Sequence, residues 1–142
     1  MIVLDARVAV KPYLEEPGAE EATELLAGPV KLLAPELIRL EVAGALCRRV
    51  RNKELDAADA ETRCQHWLGE LDKGLFGLTP DREVIAEAVA LSTKLKHPLA
   101  DCLYLAVAIR SHASLITADR TFHDRARTLY KKVSLLKGCE SN

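Results

Sequence analysis

Four carboxylates stand far apart in this chain: Asp5 in "MIVLDARV", Glu41 in "LIRLEVAGAL", Asp101 in "HPLADCLYLAVA" and Asp119 in "SLITADRTF". Asp5 and Asp119 directly follow short apolar runs, whereas Glu41 and Asp101 belong to helical patterns. Acids gathered in one pocket repel each other unless a cation binds among them. Carboxylate oxygens suit Mg2+ or Mn2+, which keep several waters and are commonly completed by substrate phosphates. An ion so held can orient a water, promote its deprotonation and offset charge on a phosphoryl transition state. The reaction class this chemistry predicts is phosphodiester hydrolysis.

Each acid also has a bland explanation. An Asp that ends a strand often makes an Asx turn, which covers Asp5 taken alone. Asp119 opens a helix and reads equally well as an N-cap, worth about 1 kcal/mol. Asp101 sits in a first helical turn, where the dipole favours a carboxylate, but its neighbours Leu99, Ala100 and Leu105 are apolar and offer it no partner. Glu41 resists a local explanation most. Its helical neighbours Leu37, Ile38, Gly44 and Ala45 cannot form a salt bridge, so nothing on its own helix offsets its desolvation.

For the acids to meet, the elements carrying them must share an edge. Apolar runs at 2–4, 30–34, 75–79, 114–118 and 132–136 read as strands. Helical patterns lie between them: a short one at 8–15 closed by Pro17-Gly18, then 19–28, 36–51, 56–73 (capped by Asp56), 80–96 (capped by Thr79), 98–112 and 119–130. Strands alternating with helices predict an α/β fold with a central parallel sheet of about five strands and helices on both faces. In such sheets, sites form beyond the carboxyl ends of the strands. The expected organisation is one domain over 1–137, with a frayed tail at 138–142.

Composition narrows the class of protein. The chain has 142 residues, 49% hydrophobic and 29% charged, with a net charge of −1. It therefore exerts no global pull on nucleic acid or anionic membranes, and a polyanion must be held locally. Cys47, Cys64, Cys102 and Cys139 show no metal-ligand or disulfide spacing, and the first three lie in apolar helical contexts; a reducing cytoplasm fits them. No membrane span is expected, since no run of 18 apolar residues occurs. The absence of GxSxG, P-loop and GxGxxG sequences argues against esterases, NTPases and dinucleotide enzymes.

The order Asp, Glu, Asp, Asp, the Tyr104 spacing after Asp101, and the segments "IVLDARVAVKPYLEEPGAEEA", "LLAPELIRLEVAGALCRRV" and "HPLADCLYLAVAIRSHASLITADRTF" resemble PIN-domain ribonucleases, and within them the VapC-like toxins of toxin–antitoxin pairs. The resemblance covers nearly the whole chain. It implies that Asp5, Glu41, Asp101 and Asp119 are catalytic, metal-binding acids, with Thr117 and Tyr104 supporting them. It further implies Mg2+- or Mn2+-dependent cleavage of RNA, a homodimer, and an antitoxin partner that blocks the site.

One departure matters. Where this family usually carries a small hydroxyl residue two positions after the first Asp, this chain has Arg7. A guanidinium beside four carboxylates would pair with them and compete with a metal; pointing outward or gripping a substrate phosphate are the alternatives. The basic cluster "RRVRNK" (Arg48, Arg49, Arg51) complements its helix C-terminus, and with Arg120 it also offers RNA-backbone contacts. His66, His97, His112 and His123 lack ligand spacing and read as surface or packing residues, and Trp67 as packing or a partner contact. Two functions compete: a metal-dependent ribonuclease toxin, or a PIN-fold binding module whose metal site is impaired by Arg7. A receiver or haloacid-type phosphatase falls behind, because Ala6-Arg7 stands where the latter needs a second Asp.

Overall fold

The computed structural model of the chain describes residues 1–139. Five strands, β1 (Ile2–Leu4), β2 (Leu32–Pro35), β3 (Gly77–Thr79), β4 (Ser114–Thr117) and β5 (Val133–Leu135), form one sheet in the order β3-β2-β1-β4-β5 with every pairing parallel. The predicted strands are all present: β1 has its expected bounds, β2 starts two residues later and runs one residue further, to Pro35, and the other three are shorter by one or two residues. The crossovers run to one side of β1 for β2 and β3 and to the other for β4 and β5. This makes the β1–β4 boundary the point where strand order reverses, the crevice that open α/β sheets use for ligands.

The helices are α1 (Ala6–Ala9), α2 (Lys11–Leu14), α3 (Ala19–Ala27), α4 (Leu37–Arg51), α5 (Ala57–Asp72), α6 (Asp81–Leu95), α7 (Leu99–Ser111) and α8 (Arg120–Arg127). None of the helices in the described residues is long and apolar enough to cross a membrane. The predicted first helix is divided into α1 and α2 at Val10, and Glu15, in the left-handed region at φ 54°, ends the second piece. Asp56 takes the N-cap position of α5 without a side-chain bond, and Pro80 rather than Thr79 occupies the cap position of α6.

Helix α7 explains why the sheet is stable. Its residues Asp101 to Ala108 are all buried, because it packs against β1, β2 and β4 on one side and α6 on the other. Each large aliphatic side chain removed from water in this way contributes about 1.5–3 kcal/mol. Trp67 is fully buried and meets Tyr13 and Phe76 edge-to-face, so it is a packing residue. Cys47 is exposed rather than packed, since it falls on the outer side of α4. Of the tail expected to fray, Cys139 is buried against Gly18; residues 140–142 lie outside the described residues.

Candidate metal and nuclease site

Asp5 and Asp119 follow β1 and β4, neighbouring strands, so both emerge at the carboxyl edge of the sheet at its switch point. Helix α7 returns antiparallel to the strands, which brings its first turn, and Asp101 with it, to the same edge. Helix α4 leaves that edge directly after β2, and Glu41 lies in its second turn. The sequence-distant acids are thereby gathered at one end of the sheet.

Asp119 is the N-cap expected of it, and Asp5, expected in an Asx turn, instead caps α1; neither role competes with the site. One oxygen of Asp5 accepts from the Val8 amide at 3.1 Å, capping α1, while the other accepts a short hydrogen bond from the Thr117 hydroxyl. Asp119 Oδ1 accepts from Thr121 and Phe122 amides at the start of α8, and its Oδ2 faces Arg7. Each carboxylate thus uses one oxygen as a cap and turns the other inward. Burial pushes the Asp5 carboxyl up to about 6, with the Thr117 hydroxyl and then the Arg7 guanidinium pulling the other way.

Glu41 finds its partner on another helix: the Tyr104 hydroxyl donates to Oε1 at 2.7 Å. Desolvation raises its pKa, and this hydrogen bond offsets part of the rise. Asp101 is better partnered than its neighbours in sequence suggest. His97 Nε2 lies 2.6 Å from Asp101 Oδ2, and the imidazole stacks on Phe122 with ring centroids 5.0 Å apart. Arg125 reaches His97 Nδ1 at 3.1 Å. A guanidinium can only donate, so Nδ1 accepts and Nε2–H is the donor to Asp101.

His97 is therefore a buried support of the site rather than a surface or packing residue. The spacing of four to Asp101 was visible in the sequence, but Pro98 separates His97 from the helix and hid the pairing. Lys96, left-handed at φ 54°, ends α6, and the Ser92 hydroxyl donates to the His97 carbonyl at 2.6 Å, which fixes this turn.

Arg7 points inward. Its Nη1 donates to Asp101 Oδ1 at 2.9 Å and lies 3.9 Å from Asp5 Oδ2, while Nη2 lies 3.5 Å from Asp119 Oδ2. The oxygens of Asp5, Glu41, Asp101 and Asp119 are the hard donors that Mg2+ or Mn2+ takes. As placed, the three aspartates close on the guanidinium and Glu41 on the Tyr104 hydroxyl, and among the described residues no three Asp, Glu, His or Cys side chains are grouped to hold a metal ion. The donor types fit the ion; their present arrangement accommodates a cation of the chain's own.

A cavity of about 250 Å³ opens beside the acids, lined by Arg7, Lys11, Glu41, Arg48, Arg49 and Asp101 among others. Of the basic residues singled out by sequence, Arg48 and Arg49 reach it. Arg49 is already paired with Glu16 at 3.2 Å and Glu54 at 3.1 Å. Arg51 and Arg120 do not line it; Arg120 lies 3.9 Å from Asp124. Lys11, buried in this wall, escaped the sequence reading because nothing in "AVKPYL" marks it as facing inward.

A five-stranded parallel sheet with acids collected at its switch point defines an α/β protein with an acid-lined cleft. The chain belongs to the PIN domain family, whose model matches residues 2–128. PIN domains are generally nucleases and generally use divalent metal ions. Among solved structures, a toxin–antitoxin complex from Klebsiella pneumoniae is similar in fold, with a TM-score of 0.67 and 20% identity over 94% of this chain and 96% of that one. No curated protein matches the chain.

Proposed function

We propose that the chain is a divalent-metal-dependent endoribonuclease and the toxin of a toxin–antitoxin pair. The observation that carries this reading is the convergence of Asp5, Glu41, Asp101 and Asp119 at the strand-order reversal, within a PIN domain. These four would hold Mg2+ or Mn2+, which when bound supplies charge neutralisation and an acidified water for attack on a phosphodiester. The Thr117 hydroxyl orients Asp5, Tyr104 holds Glu41, and His97 fixes the rotamer of Asp101, so the donors are set by neighbours rather than by loop flexibility. Arg48 and Arg49 offer positive charge beside the acids for an RNA backbone. An antitoxin partner, a homodimer and a cytoplasmic setting complete the reading; the toxin–antitoxin neighbour and the sequence resemblance support the first, and the resemblance alone the second.

Arg7 favours a second reading, a PIN-fold binding module with an impaired site, because its guanidinium pairs with three of the four acids. Within the nuclease reading, Arg7 weakens metal binding and activity. Incubating the purified protein with RNA and Mn2+ decides between them. Cleavage by the wild type that Asp101→Asn abolishes supports the nuclease; inert wild type beside an active Arg7→Ser supports a quieted site. Inertness of both, with RNA still bound, favours the binding module.

A further inference from the structure

The cavity beside the acids carries more positive charge than its own acids use. Every acid lining it is already engaged: Asp101 by Arg7 and His97, Glu41 by Tyr104, and Glu16 by Arg49. Arg7 and Arg49 are engaged in turn. Two lining cations, Lys11 and Arg48, have no hydrogen-bond or ion-pair partner among the described residues.

Lys11 is the unusual one. It is only 8% exposed, its stem passing close to Gly18. No fully buried described side-chain nitrogen or oxygen lacks a partner, so the ammonium, unpaired among the described residues, opens to water, and Lys11 is one of the residues lining the cavity. Its apolar stem is buried while its ammonium keeps contact with water, which leaves a full positive charge on this wall for an anion to meet. Arg48 lies seven residues beyond Glu41, on the same face of α4 with Ala45 between them, and all three line the cavity. At 1.5 Å per residue this places Arg48 on the order of 10 Å along the helix from Glu41. The small Ala45 leaves the space between them open.

We propose that this cavity is a phosphate subsite, in which Lys11 and Arg48 hold a phosphodiester of the RNA that flanks the one lying at the acids. The proposal rests on the nuclease reading for the identity of its ligand. A flanking phosphate held there fixes the register of the strand without touching the bases, so the subsite positions RNA of any sequence.

The test is fluorescence anisotropy with a labelled single-stranded RNA in EDTA, where no cleavage can occur, over a range of salt. Lys11→Met and Arg48→Gln should each weaken binding about tenfold, the order expected for losing a charge-assisted contact. Each should also lower the salt slope by about 0.7, the value for one phosphate of a single strand. Lys11→Arg should retain affinity, and Lys94→Met, which removes an exposed charge on α6, should match the wild type. Should Lys11→Met fail to fold by circular dichroism, Arg48→Gln decides alone.

Wild-type affinity and salt slope in the folded variants would overturn the proposal, as would a wild type that does not bind RNA in EDTA. The two readings fail separately. Weakened binding by these variants, with neither the wild type nor Arg7→Ser cleaving in Mn2+, upholds the subsite and removes the nuclease. Metal-dependent cleavage with binding indifferent to Lys11 and Arg48 removes the subsite alone.

Discussion

Replacing Arg7 with serine should tighten Mn2+ binding by between tenfold and a hundredfold. In the metal-free chain the guanidinium makes one hydrogen bond of 2.9 Å to Asp101 and two longer ion pairs, at 3.5 Å to Asp119 and 3.9 Å to Asp5. The Arg7 side chain is 49% exposed, so solvent screens these contacts. A charged hydrogen bond at the low end of its range is worth about 1.5 kcal/mol. Exposed ion pairs of the longer kind are worth about 0.5 kcal/mol each. A metal entering the site must displace roughly 2.5 kcal/mol of interaction, which at 1.4 kcal/mol per decade is a little under a hundredfold in affinity. Partial retention of the outer contacts by a displaced Arg7 brings the lower bound to about tenfold. Isothermal titration with Mn2+ reads this directly. It belongs at pH 7.5 or above, because losing Arg7 removes a charge that favours ionised Asp5, and binding needs the carboxylate. Equal affinities of wild type and Arg7→Ser would refute the reasoning.

Three further outcomes follow from the same contacts. Asp5 has a folded-state pKa of about 6 against 3.8, so the stability it contributes is present below about pH 4 and is lost as pH rises through 6. The difference amounts to about 3 kcal/mol by pH 7.5. Asp5→Asn, which cannot ionise, should therefore raise the urea midpoint of the metal-free protein at pH 7.5, with roughly half that gain at pH 5; a gain independent of pH would contradict the burial account. His97→Ala should lower Mn2+ affinity about tenfold or more with unchanged RNA affinity, and His97→Gln, which can still donate to Asp101, should restore part of it. Tyr104→Phe should cost Mn2+ affinity about tenfold by freeing Glu41; no change in the titration would remove Glu41 from the ligand set.

The periodicities of the chain revealed its elements because the strands are short apolar runs between well-punctuated helices, and the apolar length of α7 announced its burial. The four acids stood out by local misfit, and Glu41 most clearly, since its hydrogen-bond partner among the described residues, Tyr104, lies 63 residues away. What was hidden depends on side-chain direction. The pairing of His97 with Asp101 crosses the helix start at Pro98, where a rule for residues within one helix does not apply. Whether Arg7 faced in or out depended on α1 starting at Ala6, which turns Arg7 over the acids while Val8 and Ala9 enter the core. Lys11 opens α2 directly after the break at Val10 and lines the cavity, a position that no periodicity in "AVKPYL" indicates. Cys47 looked apolar by context but sits on the outer face of α4.

The central claim is that the four acids support metal-driven hydrolysis, and the chemistry of the product ends tests it most directly. Single-stranded RNA incubated with the purified protein and Mn2+ should yield fragments with linear phosphate ends, produced by attack of water. EDTA or Asp101→Asn should abolish them. Fragments ending in 2′,3′-cyclic phosphate, formed without metal and indifferent to Asp101→Asn, would contradict the account.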